Sequence, residues 1–155
     1  DVLLYVRRKE KLQAINNREG IYSVLSPGIK AVTDIQYLAE QCQLIFPIVP
    51  SQSFREMIKQ LSPYLNPRHF LIHGTKGLDL IPLAEGEKLL PGHIKTMSEV
   101  IEEESIVCRI GWLSGPNLSS EIMEGQPAAT LIASSFTEML FQKSVKFVRT
   151  TGGLI

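Results

Sequence analysis

Apolar positions in this chain cluster in short runs, separated by segments with helical spacing. Val2-Leu3-Leu4-Tyr5-Val6 is continuous and partly β-branched, as in a strand buried on both faces. Arg7-Arg8 ends it, and Lys9 through Ile15 reads as a helix stopped by Asn16-Asn17 and Gly20. Residues 21–32 predict a loop around Pro27-Gly28 that closes in a short strand at 29–32. Thr33 or Asp34 caps a helix to Gln41, with Ile35, Leu38 and Ala39 on one face. Residues 44–49 form the next apolar run, although Pro47 is awkward inside a central strand.

Pro50-Ser51 opens a helix to Tyr64 whose buried stripe is Phe54, Met57, Ile58 and Leu61. After the Asn66-Pro67-Arg68 turn comes a strand over 69–73. Residues 78–92, rich in glycine and proline, predict an ordered loop. His93 through Glu104 reads as a helix with Ile94, Met97, Val100 and Ile101 on its core face, followed by a strand over 105–113. A short helix at 117–124, a strand at 128–133, a helix at 136–142 and a strand at 145–149 complete the pattern. Strand and helix alternate with short connections, which calls for an α/β fold with a mostly parallel sheet and helices on both faces.

At 155 residues, 44% hydrophobic and 21% charged, the chain has the composition of one globular domain. Its net charge of zero is poor equipment for a nucleic-acid binder, which needs a basic face. Cys42 and Cys108 form no CxxC or Cys/His cluster and are expected to be small buried hydrophobes in a reducing cytosol. No metal site is expected. No apolar run is long enough for a membrane span. The chain starts at Asp1 on a strand and ends at Ile155 with no terminal helix, so a fragment of something longer is expected.

In an open α/β sheet, ligands collect outside the carboxyl ends of the strands. Four segments fall there: Arg7-Arg8, Pro50-Ser51, Thr75-Lys76-Gly77 and Ser114-Gly115-Pro116-Asn117. Lys76, set between Gly74 and Gly77, is placed to meet an anion; the alternative is a solvated lysine in a turn. Arg7 and Arg8 suit a ribose 2′-phosphate, or else start a solvated helix. Ser114 through Asn117 offers backbone N–H groups to an anion or is a plain cap. Glu121 reads as complementing a helix dipole rather than as a base. His73 reads as a satisfied strand residue, and His69 and His93 as surface or turn residues. Neither GxGxxG nor GxxxxGK[ST] occurs.

Taken together and in order, Val49-Pro50-Ser51-Gln52, Thr75-Lys76-Gly77-Leu78 and Leu113 through Glu121 resemble the NAD(P)-dependent glycerol-3-phosphate dehydrogenases. Met97-Ser98-Glu99-Val100-Ile101 and Gln126-Pro127-Ala128-Ala129 extend the likeness along the chain. The resemblance implies a Rossmann-like fold and residues 1–155 as a partial dinucleotide-binding domain. On this resemblance the family's first strand and Gly-rich loop are expected to be missing from the chain, and its C-terminal helical substrate domain to be absent from it. It implies interconversion of glycerol 3-phosphate and dihydroxyacetone phosphate by hydride transfer with NAD or NADP. Lys76, Gly115 and Asn117 match substrate-contacting positions, and Arg7, Lys76 and Ser119 cofactor-contacting ones. Asn117 replaces a frequent serine or threonine, and Ser119 a usual alanine.

No catalytic residue is expected within this chain, since the family's main proton-transfer lysine lies beyond Ile155. The resemblance further implies a small-molecule phosphate substrate, a homodimer, a cytoplasmic location and a place in glycerophospholipid biosynthesis. No nucleic-acid partner and no membrane insertion are expected. Two other readings stay open. One is a related dehydrogenase, such as a ketopantoate or hydroxyacid reductase. The other is a non-catalytic binding fragment.

Overall fold

The computed structural model describes residues 1–115, 124 and 129–134. It divides into two compact units, Asp1–Gln43 and the chain from Leu44 onward. In the first, β1 (Val2–Tyr5) pairs in parallel with β2 (Ile29–Val32), Val2 opposite Ile29 and Tyr5 opposite Val32. The connection carries α1 (Lys9–Asn16), and α2 (Ile35–Gln41) follows β2. Val6, Ile15 and Ala31 form the core, with Leu12, Tyr22 and Leu25 packed around them. Arg18, in the left-handed region at φ 59°, turns its guanidinium onto the carbonyls of Ile15, Ser26 and Ile29. Asp34 caps α2 by accepting from the Tyr37 amide, as its residue type predicts.

The second unit is built on a four-stranded sheet in the order β3-β4-β7-β8. These strands are β3 (Leu44–Ile45), β4 (Phe70–His73), β7 (Arg109–Ser114) and β8 (Leu131–Ser134). The first three run parallel, and β8 runs antiparallel to β7. Pro47 cuts β3 to two residues because it offers no N–H to the ladder. All four residues of β4 are buried, so it is the middle of the unit. Phe70 and Ile72 face one side with Leu44, Phe46, Leu113 and Ile132 around them. The other face meets α3 (Phe54–Leu61) and α4 (Met97–Glu104). Phe54, Ile58, Val100 and Ile101 are fully buried there, each stabilising the unit by roughly 1.5–3 kcal/mol.

The segment expected to be a loop and the start of a helix is instead a hairpin. β5 (Leu78–Leu80) pairs antiparallel with β6 (Ile94–Thr96), and α4 begins only at Met97. Thr96 and Glu99 form a reciprocal capping box that fixes this start. Ile94 is therefore exposed rather than part of the core stripe. Two other expectations are corrected. His69 is buried, accepting at Nδ1 from the Asn66 amide, and Cys108 is exposed. The predicted elements at 117–124, 136–142 and 145–149, together with Glu121, fall largely or wholly outside the described residues.

Candidate functional site

Three strand ends of the second unit converge as the sequence predicts. The Thr75 hydroxyl donates to the Val49 carbonyl at 2.8 Å and accepts from the Val49 amide at 3.2 Å. It thereby ties the segment after β3 to the end of β4, beyond the point where Pro47 ends regular pairing. Gly77 follows at φ 110°, and a Cβ there would meet the Ser51 hydroxyl at 3.2 Å. Only glycine satisfies both the backbone angle and the close approach. Ser51 and the 75–77 turn therefore form one wall.

Lys76 reaches from this wall to β7. Its Nζ donates to Ser114 Oγ at 2.7 Å and stands 5.0 Å from the centroid of the Trp112 ring. No carboxylate among the described residues pairs with it. Gly115, next to Ser114, takes φ 135°, so the chain turns sharply at the tip of β7. Lys76 and Gly115 are thus at neighbouring strand ends. Arg7 lies exposed after β1 in the first unit. Asn117 and Ser119 lie outside the described residues.

His73, the last residue of β4, points to the helical face. Its Nε2 is 3.0 Å from Ser98 Oγ on α4, and its ring stands edge-on to Phe54 on α3. The reading of His73 as fully satisfied is half right, because Nδ1 is buried without a hydrogen bond. Burial pushes the imidazole below its usual value, the Thr75 backbone partly offsets this, and the Lys76 ammonium adds to it. His73 thus stands as a strut behind the lysine turn, its neutral form favoured by burial. A groove of about 350 Å³ opens along α4, β7 and β8, lined by Ser98, Glu102, Trp112 and Ser134.

Trp112 was missed by sequence reasoning. The signal for it was present, since it lies two residues before Ser114 on one strand and so shares its face. The acid–base network around Arg55 was missed as well. Arg55 on α3 donates to Asp79 on β5 and to Glu103 and Glu104 on α4, with Lys95 of β6 also on Glu103. Burial opposes the Arg55 charge, but the three carboxylates more than offset it and hold the guanidinium protonated more firmly than usual.

An exposed, unneutralised ammonium at the sheet's carboxyl edge can bind a phosphate or stabilise an oxyanion. Among the described residues no group of His, Cys, Asp or Glu could hold a metal ion, and no helix is long and apolar enough to cross a membrane.

Comparison with known proteins bears on the fold and the family. A glycerol-3-phosphate dehydrogenase [NAD(P)+] of Acinetobacter baylyi is 38% identical over 110 residues, 71% of this chain and 28% of that protein. Its counterpart in Azotobacter vinelandii is 36% identical over 138 residues, 86% of this chain and 37% of that protein. The chain thus spans about a third of the length of the curated relatives it matches. The solved glycerol-3-phosphate dehydrogenase of Coxiella burnetii superposes with a TM-score of 0.70 at 26% identity, covering 99% of this chain and 44% of that one. A Plasmodium falciparum glycerol-3-phosphate dehydrogenase shares the fold, with a TM-score of 0.73 at 18% identity over 99% of this chain and 41% of its own. The fold is Rossmann-like α/β. The family model described as NAD-dependent glycerol-3-phosphate dehydrogenase N-terminus matches residues 1–140, and the chain belongs to that family.

Proposed function

We propose that this chain is most of the cofactor domain of an enzyme that interconverts glycerol 3-phosphate and dihydroxyacetone phosphate with NAD or NADP. The observation that carries the reading is Lys76, an ammonium at the carboxyl end of the central strand with no carboxylate among the described residues to neutralise it. In this reading Lys76, Gly115 and Asn117 contact substrate, and Arg7, Lys76 and Ser119 contact cofactor. Toward a dinucleotide, the first unit offers the exposed charge of Arg7 and the second that of Lys76, while neither GxGxxG nor GxxxxGK[ST] occurs in the sequence. The cofactor, when bound, supplies the hydride chemistry. Lys76 then orients the substrate and stabilises negative charge on its carbonyl oxygen, and the principal proton transfer falls to a lysine outside this chain. A small phosphate substrate, a homodimer, a cytoplasmic location and a role in glycerophospholipid biosynthesis belong to the same proposal. Their support is the family membership.

The test is dihydroxyacetone phosphate reduction by a protein that joins this domain to a C-terminal helical domain. Lys76→Ala should lower kcat/KM about a hundredfold; an unchanged value would sink the role. The 155-residue chain alone should show no turnover and weak NADH binding at best, read by cofactor fluorescence. Turnover by the isolated chain would overturn that division of labour.

A further inference from the structure

We propose that Trp112 is a positioning residue for Lys76, holding its ammonium ready for an anion without cancelling its charge. The proposal deepens the assignment of Lys76 above and rests on it. Trp112 and Ser114 are two residues apart on β7 and share a face, so one strand presents both to the ammonium. Trp112 is also the register partner of His73, which places its ring beside the end of the strand that launches Lys76.

The chemistry of the two contacts explains why an aromatic ring suits this position. A lysine ammonium has three N–H donors on a flexible stem. Ser114 Oγ accepts one of them, at 2.7 Å. The indole face, 5.0 Å away, attracts the cation through its quadrupole and removes no net charge. A carboxylate in the same place would hold the lysine equally well but neutralise it, as Asp79, Glu103 and Glu104 do for Arg55. Held by a ring and a hydroxyl, the ammonium is restrained, keeps its charge and has donors to spare. The rotamer freedom lost when an anion binds is then partly lost in advance.

Trp112 is the chain's sole tryptophan, so both sides of the contact can be read directly. In NMR spectra of the 155-residue chain, the Lys76 ε-methylene protons should be shifted upfield by the indole ring current. Trp112→Leu should return them to the ordinary position, and Trp112→Phe should keep part of the shift. Lys76→Met, which leaves the tryptophan in place, should change its fluorescence emission. In the protein that joins this domain to a C-terminal helical domain, titration with glycerol 3-phosphate, and with inorganic phosphate as the simpler probe, should move the Lys76 signals. Trp112→Leu should weaken that binding about two- to fivefold, with Trp112→Phe restoring most of it. Unshifted ε-methylene protons, or emission indifferent to Lys76→Met, would overturn the contact. Equal anion affinity in wild type and Trp112→Leu would overturn the positioning role. A ring-current shift that persists while neither anion moves Lys76 would instead overturn the substrate reading of Lys76, so the two failures appear in different signals.

Discussion

Arg55 and Lys76 are both cations of the second unit, and both donate to groups far away in sequence. Arg55 faces three carboxylates carried by β5 and α4, with its side chain 23% exposed. Lys76 faces a hydroxyl and an aromatic ring at the open end of the sheet. The guanidinium's planar fork is spent on fixing α3, α4 and the hairpin to one another. The ammonium fixes little and keeps its charge available. Positive charge alone does not mark a site; what surrounds it does.

The contrast can be broken most sharply by exchanging stability and activity readouts. The largest effect expected is the hundredfold activity loss of Lys76→Ala, accompanied by a melting temperature close to wild type. A large drop in melting temperature would place Lys76 beside Arg55 as a structural cation. Next comes Arg55→Ala, which strips Asp79 of its cation and leaves Glu103 and Glu104 to Lys95 and Lys59, and should cost about 2 kcal/mol in urea unfolding. A neutral result would mean that solvent already screens the cluster. Arg55→Lys should recover about half of that loss, because a single ammonium cannot serve three separated carboxylates. In 1 M salt, where the Debye length falls to about 3 Å, the gap between wild type and Arg55→Ala should narrow. If the gap is independent of salt, packing rather than charge explains it.

The smallest effect is a shallow acid sensitivity in two stages. His73 is held below its usual value of 6.5, so the unfolded chain binds its proton more tightly than the folded one. Its contribution is present above about pH 6.5 and is lost as pH falls through that region. Glu99 is held below 4.5 by the Thr96 backbone and hydroxyl, and Glu103 by Lys95 and then Arg55. Their contributions persist to lower pH and disappear only as pH falls through those depressed values. Urea midpoints measured from pH 8 to pH 3 should decline in that order. In Arg55→Ala the Glu103 part of the later stage should shrink, since Lys95 alone then holds it, while the Glu99 and His73 parts should remain.

Lys76 was legible in the sequence and Arg55 was not, for physical reasons. A strand followed by a glycine-flanked lysine is a local signal, and the sheet's topology carries it to the carboxyl edge beside β7. The partners of Arg55 lie 24, 48 and 49 residues away and leave no periodic trace. The hairpin was hidden for a second reason. In β5, Leu78 and Leu80 are exposed at 58% and 57% while Asp79 turns inward to Arg55. In β6, Ile94 is exposed and Lys95 turns inward to Glu103. Its apolar positions face outward, the reverse of the pattern from which strands are read. Ile94 also fell in helical phase with Met97 and Ile101, and only the Thr96–Glu99 capping pair marks where the helix begins. The central strand was read well because all its residues are buried, so its composition and environment agree.

The hydroxyl of Thr75 has a consequence for how the rim of the sheet opens. Past β3 the Gly74 amide still donates to the Pro47 carbonyl at 3.3 Å, and one residue pair further on the Val49 amide and carbonyl are both engaged by one side chain. That side chain acts as a prosthetic rung above this bond, and its removal loosens the rim without touching the strands below. In the vocabulary of hydrogen exchange, Val49 should open with the global unit while Thr75 is present and with the surface once Thr75 becomes valine. A single oxygen atom thus sets how firmly the wall beside Lys76 is held to the sheet.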